Sequence, residues 1–448
     1  STPTTFLFSP APPPPPEPSF IFTILTTNSG SASDTFVLPL VSNGVIDMDV
    51  DWGDGNTDNI TAYDDPEKTH VYSASGTYEI KISGTIRGFT FNWGGDKAKM
   101  TDISQWGDFE WTNSSAFTQC ANMVNTATDL LNITGSSMQY GFYGCTLWNP
   151  ANAGLWDVSS VTNLNSIFIF NSSFNQDLDA WDVSNVYDFG GVFYGTLFNY
   201  PLPNWDVGSG NSFNQMFLGT PFNQDIDMWD MSTAVSLFSM FSNCTAFNQD
   251  LNSWNTTNVT SIWAVFGGCT VFDGDVSSWD VSNCTRFDSA FQDCPAFNQD
   301  ITGWNVSSGT NFSYMFRSAQ AFDQNIGGWN VGNATNMNSM FFYANTFNQD
   351  IGGWDVSNVT DMRSMFRNNA TFDQDLGGWD ITSVTQFNAF MTGTTLSTSN
   401  YDALLLGWDA QSVVSGLTID FGSSTYTGGG AVATARANLI SSDSWTIT

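Results

Sequence analysis

The chain has 448 residues, with 10 Lys or Arg against 43 Asp or Glu and a formal net charge of −33. A field of that sign repels phosphate backbones and anionic bilayers, which argues against nucleic-acid partners and against membrane insertion. No apolar run reaches the ~20 residues of a membrane span, and the length allows more than one domain. Ser1 is read as a processed start with a leader removed, so the expected location is extracellular or at the cell surface.

Residues 1–18, STPTTFLFSPAPPPPPEP, join a short apolar word to a proline run. The run favours an extended spacer of about 3.1 Å per residue. Two readings stay open: a disordered tail, or an arm whose Phe6, Leu7 and Phe8 dock on another copy of the chain. Residues 19–92 alternate apolar and polar positions around 20–25, 36–40, 48–52, 70–72 and 78–82, with turn residues between, which predicts a small β-sandwich. Asp54-Gly55 reads as a hairpin turn, and the single histidine, His70, as a hydrogen-bonded structural residue.

Residues 93–150 join the two parts and hold two irregular coils around Phe117 and Phe142; 151–396 are regular. There Trp156, Trp181, Trp205, Trp229, Trp254, Trp279, Trp304, Trp329, Trp354 and Trp379 recur at 24 or 25 residues. Phenylalanine columns keep step, one through Phe291, Phe316 and Phe341 and another through Phe297, Phe322 and Phe347. A fixed period of this size means units that cannot bury their apolar face alone and must stack. In the copy at 346–366, TFNQDIGGWDVSNVTDMRSMF, the alternation of Trp354, Asp355 and Val356 predicts a short strand. Gly352-Gly353 makes a corner, and Val359, Met362 and Met365-Phe366 suit a tight irregular return. Residues 397–448 read as a cap, with short helices over 399–408 and 431–440.

Cys120, Cys145, Cys244, Cys269 and Cys294 each follow a coil phenylalanine by three residues and so share a column. Strands about 4.8 Å apart lie inside the roughly 4.4–6.8 Å disulfide window, so neighbouring coils could be stapled. The expected pairs are Cys120–Cys145, then Cys244–Cys269 with Cys284–Cys294, against a competing Cys269–Cys294; buried free thiols are the other reading.

Aspartates also form columns, and two explanations apply. They cap local backbone N–H groups, or they bridge calcium, with Asp300, Asp350 and Asp375 as the candidate ligands and calcium the one cofactor considered. Capping is favoured, because Asn255, Asn305 and Asn330 replace aspartate in one column and keep the hydrogen bond without the charge. Glycosylation sequons stand at Asn59, Asn113, Asn132, Asn171, Asn243, Asn255, Asn258, Asn283, Asn305, Asn311, Asn333, Asn358 and Asn369. Those at Asn258, Asn283 and Asn358 share a turn from which a glycan would project.

Catalysis fits poorly. A lone histidine excludes most histidine-based triads, the carboxylates recur coil after coil, and Arg286, Arg317, Arg363 and Arg367 form no basic pocket visible from sequence. A glycan-binding surface would show solvent-facing aromatics on one side, and the aromatic columns read instead as core.

The repeat FNQDIGGWDVSNVTDMRSMF resembles that of the BspA-like bacterial surface proteins, a divergent branch of the leucine-rich-repeat solenoids, over roughly 102–445. ISQWGDFEW at 103–111 and YDALLLGW at 401–408 resemble that family's flanks, while the copy at 200–203 loses its Gln-Asp pair and should bulge. DWGDGNT at 51–57 and HVYSASGTYEI at 70–80 resemble the PKD-type immunoglobulin-like domain. The resemblances imply a mainly β chain: an N-terminal Ig-like β-sandwich, a leucine-rich-repeat-like solenoid and a short α/β C-terminal cap. They imply an adhesive, structural surface protein and no enzyme. Its expected partners are other copies joined head to tail through the arm, glycans, or host surface proteins. A carbohydrate-binding module and a polysaccharide-degrading solenoid enzyme are the alternatives.

Overall fold

The computed structural model describes residues 18–42 and 44–448; the arm with Phe6, Leu7 and Phe8 lies outside the described residues. Period-2 patterning builds the N-terminal sheets. In β1 (Phe20–Leu25) the residues Phe20, Phe22 and Ile24 face inward, and in β3 (Ile46–Asp51) Met48 and Val50 do so. β2 (Thr35–Val37) pairs only with β5 (Thr69–Val71). The large sheet runs β4-β3-β6-β1-β7-β9, where β4 is Thr57–Ile60, β6 Thr77–Ile86, β7 Met100–Gln105 and β9 Val124–Asn125. Residues 52–56, including Asp54-Gly55, turn β3 into β4, with Trp52 N–H donating to the Asn56 carbonyl at 3.2 Å.

The sheet crosses residue 92, where the sequence suggests a boundary. β7 pairs antiparallel with β1, Phe22 opposite Ile103, and parallel with β9, which already belongs to the first coils. A buried cluster reinforces the joint. Lys99 Nζ donates to the Ala32 and Thr35 carbonyls at 2.8 and 2.7 Å, and Asp96 accepts from the Ser31 and Val37 N–H groups at 2.6 and 2.8 Å. Burial lowers the Lys99 pKa despite Asp96 at 3.8 Å. A short parallel pair, β8 (Glu110–Trp111) with β10 (Asn132–Ile133), continues into the repeats.

The repeats stack coil on coil, and their backbone contact is not where the Trp-Asp-Val pattern placed it. Trp354 and Val356 do face inward with Asp355 outward, yet this stretch forms no strand. The parallel bridges fall one per coil further on, through Asn311, Asn336, Asp361 and Gln386. From that point alternate N–H groups donate to the next coil: Met337 to Asp361, Ser339 to Arg363, Phe341 to Met365 and Tyr343 to Arg367, at 2.8 to 3.0 Å. The N–H groups between them close turns within their own coil, Met340 to Met337 and Phe342 to Ser339. A chain of turns satisfies its backbone this way without a second long strand.

Inside, like residues stack on like. Phe316 is fully buried, 5.9 Å from Phe291 and 5.7 Å from Phe341, and lies 3.9 Å from Phe322 of its own coil. Trp279 and Trp304 stack at 6.3 Å with planes 2° apart. From Trp181 onward each column indole donates to a carbonyl of the preceding coil, for example Trp279 to Leu251 at 2.9 Å and Trp379 to Ile351 at 3.0 Å. The coil at 200–203 keeps this register instead of bulging. Leu202 fills the buried aliphatic position and Asn199 still accepts from Asn223 N–H, and a surface hollow of about 450 Å³ lies between Tyr200 and Asn204 and the Gln176-Asp177 pair of the coil before.

Both α-helices among the described residues lie in the C-terminal cap, so the chain is mainly β with few helices. Ser397 caps α1 (Thr398–Asp409), and its Trp408 donates to the Leu376 carbonyl at 3.1 Å, extending the indole series over the last coil. β11 (Thr418–Ile419) pairs with β12 (Thr446–Ile447), and α2 (Gly430–Ser441) packs on α1. No helix among the described residues is long and apolar enough to cross a membrane.

Replacing Phe316 by Ala removes a ring held on three sides. It should lower unfolding free energy by about 3–5 kcal/mol in chemical denaturation, and an unchanged midpoint would contradict this packing.

Candidate binding face

Of the two positions that follow the phenylalanine column of Phe168, Phe193 and Phe316, the second is at least partly exposed in every coil from Gln119 to Asn368, and the first is so except at Thr118, Ile169 and Gly267. The second is always left-handed. Gly144, Gly195, Gly219, Asn243, Asp293 and Asn368 occupy it with φ between 54° and 69°, and such residues bear that conformation best. Two coils break the pattern with aromatics: Phe170 has φ 56° and Tyr343 has φ 58°, and they are 46% and 42% exposed. Each choice strains the backbone and leaves a ring in water, so neither serves the fold.

Each of these rings belongs to a cluster. Around Phe170, Trp93 lies 5.5 Å from Tyr140 and 4.8 Å from Tyr143; Tyr143 lies 5.7 Å from Phe170, and Phe170 lies 4.9 Å from Tyr194. Trp93 itself is 41% exposed with φ 70°. The result is a continuous aromatic stripe across the first coils, held at one end by Lys97, whose ammonium donates to the Trp93 carbonyl. Tyr343 lies 4.8 Å from Phe342, whose ring faces the guanidinium groups of Arg317 and Arg367. The solvent-facing aromatics absent from the sequence reading are therefore present. They escaped it because they occupy single coils and not whole columns.

The other expected site residues fall elsewhere. All six cysteines are buried free thiols, in place of the expected disulfides. The Sγ of Cys145, Cys244, Cys269 and Cys294 donates to the carbonyl of the previous coil's phenylalanine at 2.9 to 3.0 Å. Asn171, Thr196, Thr220, Ala319, Ala344 and Asn369 share the column with Cys120, so the position asks for a small side chain and not for sulfur. Cys284 lies outside it, in the column of Val259 and Val359, with Sγ 3.2 Å from the Val259 carbonyl. Burial pushes the Cys244 and Cys284 thiols up to about 12.

The aspartates cap turns. Asp300 accepts from Thr302 N–H and hydroxyl, Asp350 from Gly352 N–H and Asp375 from Gly377 N–H, at 2.7 to 3.0 Å. Hydrogen bonds from a Ser or Thr two residues on hold Asp157, Asp182, Asp280, Asp300 and Asp355 below the usual carboxylate range. Among the described residues no group of three or more His, Cys, Asp or Glu is placed to hold a metal.

Two sequons are corrected by burial: Asn171 and Asn369 point into the small-residue column and have no exposed surface. Asn59, Asn132, Asn243, Asn255, Asn258, Asn283, Asn305, Asn333 and Asn358 are exposed, and Asn113 and Asn311 half-buried. Of these, Asn258, Asn283, Asn333 and Asn358 use their side-chain amides to bond the previous coil's carbonyl at 2.7 to 2.8 Å. His70 sits between Trp52, stacked at 4.7 Å, and Asp54 Oδ2 at 2.9 Å. Burial alone would raise the Asp54 carboxyl, but the hydrogen bonds from His70 and Asn56 outweigh it and keep it below the ordinary range.

A family model described as Mycoplasma protein of unknown function, DUF285, matches residues 136–254, 235–345 and 323–419 in tandem, over half of the chain. The chain belongs to this family. The DUF285 matches agree with the BspA-like repeat resemblance and take in α1, but they leave the N-terminal sheets outside. No curated protein and no solved structure matches the chain.

Unfolding the protein without reductant should expose all six cysteines to alkylation. Peptide mapping would show six modified thiols, whereas a linked Cys120–Cys145 peptide would restore the staple.

Proposed function

We propose that this DUF285 protein is an extracellular, surface-displayed adhesive rod and not an enzyme: a leucine-rich-repeat-like solenoid behind an Ig-like domain, which holds glycans against one face. The observation that carries the reading is the aromatic stripe of Trp93, Tyr140, Tyr143, Phe170 and Tyr194, exposed in part through left-handed residues. Flat aromatic faces with polar edges suit sugar rings, which present C–H groups on one side and hydroxyls at the rim. Ring contacts every few ångströms along the stripe suit an extended oligosaccharide better than one small ligand. The aspartates speak for binding over hydrolysis, since those in the ladders are engaged in their own turns.

On a neutral oligosaccharide array, Trp93→Ala and Phe170→Gly should each weaken retention about tenfold, equivalent to about 1.4 kcal/mol. Phe170→Gly should melt at the same temperature as wild type or higher, because glycine relieves the left-handed strain. Equal retention of both variants and wild type would sink the glycan reading.

Head-to-tail fibre assembly through the arm is a second reading, favoured by one feature. β4 closes the large sheet with β3 as its single neighbour, so its outer edge is open to an added strand. A strand donated from one copy to the next does not close on itself and gives a filament. Deleting residues 1–18 should abolish fibres seen by negative-stain microscopy and leave a folded monomer; undiminished fibres from the truncated protein would end this reading.

A further inference from the structure

The four arginines of the repeats look scattered in sequence, yet the coil register gathers them on neighbouring coils at one end of the outward face. They divide into two kinds. Arg286 and Arg363 are neutralised within their own coils, by Asp288 at 2.8 Å and Asp361 at 2.7 Å. Arg317 and Arg367 have no ion pair among the described residues. They occupy the position just after the phenylalanine column, two coils apart, and Phe342 fills that position between them. Backbone bonds fix the order, Ser318 N–H to the Phe342 carbonyl at 2.7 Å and Tyr343 N–H to the Arg367 carbonyl at 3.0 Å. The Arg317 guanidinium lies 5.3 Å from the Phe342 ring centre and that of Arg367 5.6 Å, with Tyr314 5.8 Å from Arg317.

We propose that Arg317, Phe342 and Arg367 form a clamp for the carboxylates of an acidic polysaccharide, a uronate polymer lying along the rod. This rests on the glycan reading above and names the ligand class for the other end of the same face. The first support is electrostatic. In a chain of net charge −33, carboxylates close enough to pair with these two cations would have been the simplest arrangement. Instead both guanidinium groups are held by a ring between them, with no hydrogen bond to any described residue. A guanidinium offers five donors in a planar fork that matches a carboxylate. Cation–π contacts at exposed sites position such a group without using up those donors.

The second support is the company the clamp keeps. Tyr343 is exposed from a left-handed residue, as Phe170 is in the stripe, and Tyr314 is half-buried beside Arg317. These rings give a sugar polymer apolar faces to lie on between charged contacts. The aspartate rows of a second copy would bring carboxylates but no such faces. Those carboxylates already accept turn N–H groups.

The test compares retention of the whole protein on immobilised polygalacturonate, dextran sulfate and the neutral oligosaccharides of the array. Arg317→Gln with Arg367→Gln should lose at least about tenfold on polygalacturonate, with the melting temperature and neutral-glycan retention unchanged. Arg317→Lys with Arg367→Lys, which keeps charge without the fork, should recover only part of the loss. Equal polygalacturonate retention by wild type and the glutamine variant overturns the clamp, and so does retention on dextran sulfate alone. Sedimentation velocity adds a further arm: a wild-type dimer that the glutamine variant lacks would assign the cations to self-association and overturn the polysaccharide. Loss of neutral-glycan retention in Trp93→Ala bears on the stripe alone, so the two readings fail separately.

Discussion

The indole hydrogen bond between coils is the contact on which the rest of the repeat stack depends. A single coil of about 25 residues buries too little apolar surface to fold alone. Its tryptophan supplies a large face to the core and one donor that would be costly to bury unpaired. The carbonyl that satisfies the donor belongs to the coil before, as in Trp304 to Val276 and Trp354 to Ile326. From Trp181 onward each coil is thus completed by its neighbour, whereas the indole N–H groups of Trp106, Trp148 and Trp156 are buried without a hydrogen-bond partner among the described residues. The cap continues the logic, because Trp408 arrives from a helix and still reaches the Leu376 carbonyl.

Polar ladders follow the same rule on the outside. Gln249 and Gln374 clip onto the asparagine of the preceding coil, Asn223 and Asn348, through both its carbonyl groups. Asn258 and Asn358 reach back likewise from the opposite corner. These short amides replace the long charged side chains common on helical proteins, and the remaining charge is aspartate tied into turns. Negative charge is therefore spread over the stacked coils at a regular spacing, which makes the few cations informative wherever they fail to pair.

Inward and outward positions separate cleanly in the repeats. Inward positions repeat because stacking allows little else at a column where rings lie within about 6 Å of each other. The outward positions beside Phe168 and Phe316 are free of that demand, and there the coils differ: tyrosine, leucine, serine, glycine, glutamine, arginine and phenylalanine follow one another. Function has room where the repeat tolerates variety, and the left-handed backbone shows which variants cost stability.

The period of tryptophan and phenylalanine was enough to show that coils stack, which residues are core, and where the cap begins, since burial of a repeated apolar face dictates all three. Alternation likewise located β1, β3 and β5 to within two residues, and the aspartate columns with their asparagine replacements announced turn caps. Other features depended on geometry between coils. A shared column suggested disulfides, but only the coil-to-coil placement showed that Cys145 and Cys269 donate to carbonyls of the coil before and that Thr220 or Ala319 can fill the same position. Nothing local in Asn171 or Asn369 marks them as buried. The aromatic stripe and the arginine clamp were invisible for the same reason. Trp93, Tyr143 and Phe170, or Arg317, Phe342 and Arg367, lie some 25 or more residues apart in the chain, and they become neighbours only because one coil sets the register of the next.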